Sequence, residues 1–125
     1  MSIRVMIVEQ QPKIRRDLRI FLHSCDGLEV AGEASSTTDA IILCASLQPD
    51  VIVMRLTGME RSAIAGIRIL RHQYPDARTV VISSTDDIML KAQAMVAGAA
   101  HVIADTPSRD ILIDAIYYAL ETLRQ

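Results

Sequence analysis

Five short segments rich in Ile and Val recur between helical patterns: Ile3 to Val8, Glu29 to Ala34, Val51 to Met54, Thr79 to Ser83 and His101 to Ala104. Apolar runs of this length, set between stretches with a 3.6-residue period, predict a (βα)5 alternation. The first, third and fourth segments are apolar almost throughout, as strands covered on both faces must be. A parallel sheet with helices on both sides follows, an α/β doubly wound layout.

The helices carry their own boundary signals. Pro12 stands where a first helical residue belongs, and Ile14, Leu18, Phe21 and Leu22 then form one apolar stripe to about His23. Thr37 or Thr38 can cap a second helix running through Leu47, which ends before Pro49. A third is expected over about Ser62 to Gln73, ahead of Pro75, and a fourth over about Asp86 to Ala97 with Gly98 after it. Thr106 and Pro107 start the fifth, which reaches Arg124. No repeat, low-complexity stretch or linker interrupts residues 1–125, so one domain is expected.

Bulk properties exclude several classes of function. At 125 residues the chain can bury roughly 68% of its unfolded surface in one core. No apolar run approaches the roughly 18 residues of a membrane span, and no signal peptide is evident. A net charge of −2, one Phe and no Trp leave little to hold or stack a polynucleotide, so direct nucleic-acid binding is not expected. Cys25 and Cys44 have neither a CxxC spacing nor neighbouring His, which argues for structural thiols in a reducing, cytoplasmic setting and against a metal centre.

In an open parallel sheet, ligands bind beyond the carboxyl ends of the strands. Glu9 with Gln10, Arg55, Ser83 with Ser84, and Asp105 occupy those ends. The phrases "IRVMIVEQQP", "EVAGEASS", "LQPDVIVMRL", "YPDARTVVISS" and "GAAHVIADTPSRDILIDAI" together resemble a response-regulator receiver domain of two-component signalling, especially the kind followed by a helix-turn-helix DNA-binding domain. The resemblance covers nearly the whole chain and implies a flavodoxin-like sheet of order 2-1-3-4-5. It also implies a site: two acids after the first strand holding Mg²⁺, an Asp ending the third accepting a phosphoryl group, a Ser or Thr ending the fourth, and a Lys ending the fifth.

This chain departs from that pattern at most of those positions. Glu9, a longer acid, supplies one carboxylate, Gln10 is neutral, Arg55 stands at the acceptor Asp, and Asp105 at the Lys; Ser83 still matches the hydroxyl position. Val102 replaces the usual aromatic residue and Met59 the usual proline after strand three. A guanidinium stays protonated and neither attacks phosphorus nor holds a cation, so Mg²⁺ binding and aspartyl phosphorylation are not expected. The exchanged charges suggest that Arg55 bridges Asp105, Glu9 or both; the alternative is an arginine that snorkels out of an empty pocket. Ser83 is equally readable as a strand-end residue with no special role.

The resemblance places output on the face of helix four, strand five and helix five. Helix four is apolar nearly all round, with Ala92, Met95 and Ala99 expected toward the sheet and Met89 and Val96 outward. Helix five carries Leu112, Ala115, Ile116, Ala119 and Leu123 as a core stripe and Ile113, Tyr117 and Leu120 beside it. That surface is the expected contact for a protein partner or a second copy, although Tyr117 and its neighbours could equally widen the core. Lys13, Arg15, Arg16 and Arg19 form a basic face on helix one, read as solvated rather than as a site for an acidic partner.

The leading expectation is therefore a regulatory interaction module, not an enzyme and without a cofactor. A phosphorelay receiver with an unconventional acceptor is the alternative within signalling. A flavin-type carrier on the same layout is less favoured, because "EQQPK" offers neither Gly nor hydroxyl to a phosphate and no GxxxxGK[ST] or GxGxxG occurs. If the chain is complete no effector domain is attached; the subgroup resemblance leaves room for a DNA-binding domain beyond Gln125.

Overall fold

The computed structural model describes residues 2–56, 61–84 and 86–121. Within them the chain alternates strictly between strand and helix: β1 Ile3–Val8, α1 Pro12–His23, β2 Leu28–Ala34, α2 Thr37–Leu47, β3 Val51–Leu56, α3 Arg61–Gln73, β4 Arg78–Ser83, α4 Ile88–Ala97, β5 His101–Ala104 and α5 Arg109–Glu121. All four strand pairings are parallel and the order is β2-β1-β3-β4-β5. The doubly wound sheet expected from the sequence is the one found.

Successive strand residues point to opposite faces, and the core divides accordingly. Met6 and Val8 of β1, with Ile52, Met54 and Leu56 of β3, pack beneath α2, α3 and α4. Val5 and Ile7, with Val51 and Val53, pack beneath α1 and α5 through Leu22, Leu112 and Ile116. Because both faces are covered, nearly every β1 and β3 position must be apolar, which explains the continuous runs.

Several boundaries differ from expectation. The hydroxyl that caps α2 belongs to Ser36, which accepts from the Asp39 N–H at 3.1 Å, and not to Thr37 or Thr38. Helix α4 starts later than Asp86, with Asp87 accepting from the Met89 and Leu90 amides. Helix α5 begins at Arg109, where Ser108 Oγ accepts from the Ile111 N–H, instead of at Thr106 and Pro107. In each case the side-chain oxygen of the residue just before the helix satisfies an otherwise orphaned donor. The expected end of α5 at Arg124, the core role of Leu123, and Met59 lie outside the described residues.

The phase of α4 also differs. Ala94 and Ala97 are buried against the sheet side, with Ala99 just beyond the helix, whereas Ala92 is exposed and Met95 is 46% exposed. Small residues face inward because α4 packs close to α3: a side chain at Gly98, whose φ is +123°, would run into the Arg71 methylenes.

Candidate functional site

The strand rows lead straight to the site. Val5 and Ile7 are followed by Glu9, Val51 and Val53 by Arg55, and Ile103 by Asp105, so these polar residues prolong three apolar rows facing the α1 and α5 side. Val8 pairs with Met54, which makes Glu9 and Arg55 neighbours one residue further along adjacent strands. Alternation alone therefore brings the three charges together at the carboxyl end of the sheet.

Arg55 lies between the two acids. Its Nε donates to Asp105 Oδ2 at 3.3 Å, and its Nη1 donates to Glu9 Oε1 at 3.4 Å. The Glu9 side chain is 2% exposed, that of Arg55 13% and that of Asp105 19%. A carboxylate so deeply enclosed requires a counter-charge and hydrogen bonds to offset its lost hydration. Glu9 obtains both, since the Gln11 N–H also donates to its Oε1 at 3.0 Å. The snorkelling alternative for Arg55 does not describe this geometry.

The remaining expected residues are placed less centrally. Gln10 is exposed. Ser83 is buried between Leu56 and Ala104 in the ladder, and its carbonyl accepts from the Asp105 N–H at 2.9 Å, which ties β4 to the acid. Ser84 donates its hydroxyl to the Leu56 carbonyl at 3.1 Å, closing the ends of β3 and β4 together. Arg15, read from the sequence as part of a solvated face, instead donates from Nη1 to the Glu9 carbonyl at 2.8 Å while its Nε faces Glu33 at 3.5 Å. Arg19 binds the same Glu33 at 2.9 Å. The basic face of α1 is thus partly committed to β2, and only the charge of Glu33, opposite it in space, could have signalled this.

Mg²⁺ demands near-octahedral oxygens and is usually held by one or two carboxylates together with phosphate oxygens. Here one acid is replaced by an exposed amide, the other already receives a guanidinium and a backbone N–H, and a permanent cation stands at the end of β3. The residues present do not fit the ion. Among the described residues no group of three His, Cys, Asp or Glu could hold a metal, and no helix is long and apolar enough to cross a membrane.

On the expected interaction face, Val96 is 84% exposed, Met89 66% and Tyr117 42%, while Ile113 and Leu120 are half-buried. Leu120 packs on the α5 core. Ile88, Ile111 and Tyr118, not singled out from the sequence, are also exposed, and the Tyr118 ring lies 4.7 Å from that of His101 on β5.

A five-stranded parallel sheet in the order 2-1-3-4-5, with ionisable residues gathered at the carboxyl ends of β1, β3 and β5, defines a receiver-type signalling module. The chain belongs to the response regulator receiver domain family, which it matches over residues 5–117. It is 29% identical over 122 residues to the transcriptional regulatory protein MctR of Rhizobium johnstonii, covering 98% of this chain and 55% of that protein. It is 29% identical over 110 residues to the uncharacterized transcriptional regulatory protein YhcZ of Bacillus subtilis, covering 87% and 51%. The chain spans about half the length of these curated relatives. Among solved structures, the LuxR-family two-component response regulator from Aurantimonas superposes with a TM-score of 0.88 at 25% identity, over 98% of this chain and 87% of that one.

Proposed function

We propose that this receiver regulates through protein–protein contact, by binding a protein partner or a second copy, without aspartyl phosphorylation and without Mg²⁺. The observation that carries the reading is the Arg55 guanidinium held between Glu9 and Asp105. A phosphoryl acceptor must be a nucleophile, and the end of β3 offers a cation. A phosphoryl group arriving there would also face two carboxylates with no metal ion to offset its charge.

Output would pass through the α4, β5 and α5 face. Exposed Ile88, Met89 and Val96 concentrate apolar surface on one short helix beside Tyr117 and Tyr118, and methionine and tyrosine favour interfaces. Curated relatives are transcriptional regulators about twice as long, so in a longer chain the natural recipient of this contact is an attached DNA-binding region.

The test is a heteronuclear NMR titration with Mg²⁺ followed by beryllofluoride, a stand-in for the aspartyl phosphoryl group. Expected are unmoved amides at Glu9, Arg55, Ser83 and along α4. Saturable, concerted shifts there, or acid-labile label from radiolabelled acetyl phosphate, would overturn the proposal and point to an unconventional acceptor.

A further inference from the structure

A cleft of about 300 Å³ opens between α1 and the β5–α5 connection. Its walls are Ile14, Leu18 and Phe21 on one side and Pro107 and Leu112 on the other, above a floor of Ile82 and the Arg55–Asp105 pair. Such a volume, mostly apolar with a few placed polar groups, is at the small end of ligand-binding clefts.

The charges around it are sorted. At the floor Arg55 and Asp105 answer each other, and Glu9 binds Arg55 from behind. An extra anion there would meet two carboxylates for one guanidinium. At the mouth the situation is different: Asp17 on α1 and Arg109 on α5 are exposed, and neither has an ion-pair partner among the described residues. Arg109 is nevertheless held in place, its guanidinium carbon 5.0 Å from the centre of the Phe21 ring. Asp17 lies one helical turn before Phe21 and so shares its face. The mouth thus presents one negative group from α1 and one positive group that reaches from α5 to the Phe21 ring, above an apolar interior.

We propose that this cleft binds a free α-amino acid with an apolar side chain, its ammonium on Asp17, its carboxylate on Arg109, and its side chain between Leu18, Phe21 and Leu112. Neither a simple acid nor a simple amine answers both groups at the mouth. The inference does not depend on how the Arg55 site behaves toward phosphoryl groups, because the residues that select the ligand lie on α1 and α5.

The experiment is an NMR titration of the chain with phenylalanine and leucine, beside phenylacetate, phenethylamine and glutamate. Saturable shifts confined to Ile14, Leu18, Phe21, Arg109 and Leu112 with the two apolar amino acids are expected, and weaker or no response to the other three. Asp17→Asn and Arg109→Gln, both surface changes, should each weaken binding about tenfold, the loss of one charge-assisted hydrogen bond. Absence of saturation with every probe overturns the proposal. So does binding that both variants leave unchanged, or equal binding of phenylacetate. Failure here leaves the beryllofluoride result untouched: Arg55 is read in both titrations, but Glu9, Ser83 and α4, which report on beryllofluoride, do not line this cleft.

Discussion

The carboxyl end of the sheet and the outer face of α4 treat their side chains in opposite ways. At the strand ends each charge is met from within the molecule: Glu9 by Arg55 and Gln11, Asp105 by Arg55. On α4, Ile88, Met89 and Val96 stand largely in water. Polar groups satisfied internally have little left to offer a phosphoryl group, whereas apolar surface left in water gains by being covered. On the reading proposed above, the contrast separates the means of taking a signal in, closed at the strand ends, from a surface for passing one on, open at α4.

The sharpest way to break this comparison is Arg55→Ala. It leaves Glu9 buried with no counter-charge, and we expect a loss of about 3 to 4 kcal/mol, the lower part of the range for breaking a buried pair because Asp105 is partly hydrated. Urea denaturation measures it. A change below about 1 kcal/mol would mean that the bridge is ornamental and that the site is not held from within.

Cys44 extends the contrast into the core beneath α2. Burial pushes its thiol up from an ordinary 9.0 to about 11, so the folded chain keeps the proton where an unfolded thiol has released it. The unfolded state then binds fewer protons, and stability falls as pH rises through that window, by about 2 to 3 kcal/mol in full. Denaturation midpoints between pH 8 and 11 should show this extra decline relative to Cys44→Ala; parallel curves would refute it.

Next in size is Ser36→Ala at the α2 N-terminus, where Ser36 lines a cleft together with Gln10 and Arg55. Loss of the cap to Asp39 should cost about 1 kcal/mol, while Thr38→Ala, two residues on, should cost less. The smallest stability effect belongs to the face. Val96→Glu is expected to change stability by no more than about 0.5 kcal/mol, yet to abolish self-association or partner binding in sedimentation and pull-down experiments. Intact association in that variant would move the output surface elsewhere.

How far the sequence could be read depended on whether two signals agreed or competed. Strands were legible because burial on both faces forces continuous apolar runs at β1, β3 and β4, and the bridge was legible because the family resemblance sets Arg55 and Asp105 at facing positions with their charges exchanged. The phase of α4 was not. Where Ile88, Met89, Leu90, Ala92, Ala94, Met95, Val96 and Ala97 make nearly every side apolar, periodicity carries no phase, and close approach to α3 selects the alanines. The α2 cap was ambiguous for a related reason: in "SSTT" four successive hydroxyls could serve, and backbone geometry chose the second. The cleft at α1 and α5 was not foreseen, because Asp17 and Arg109 are far apart in sequence and neither belongs to an apolar run that would have drawn attention to it.

The Arg55 bridge also bears on time. A phosphoryl group on a receiver is a message with a half-life, written by one reaction and erased by hydrolysis. A guanidinium joined to the backbone through its own side chain has no such clock: it arrives with translation and leaves only with the protein. On the reading proposed here, the pocket is a constant of the molecule, and the dose of the chain, or of whatever occupies its surfaces, becomes the variable a cell can adjust.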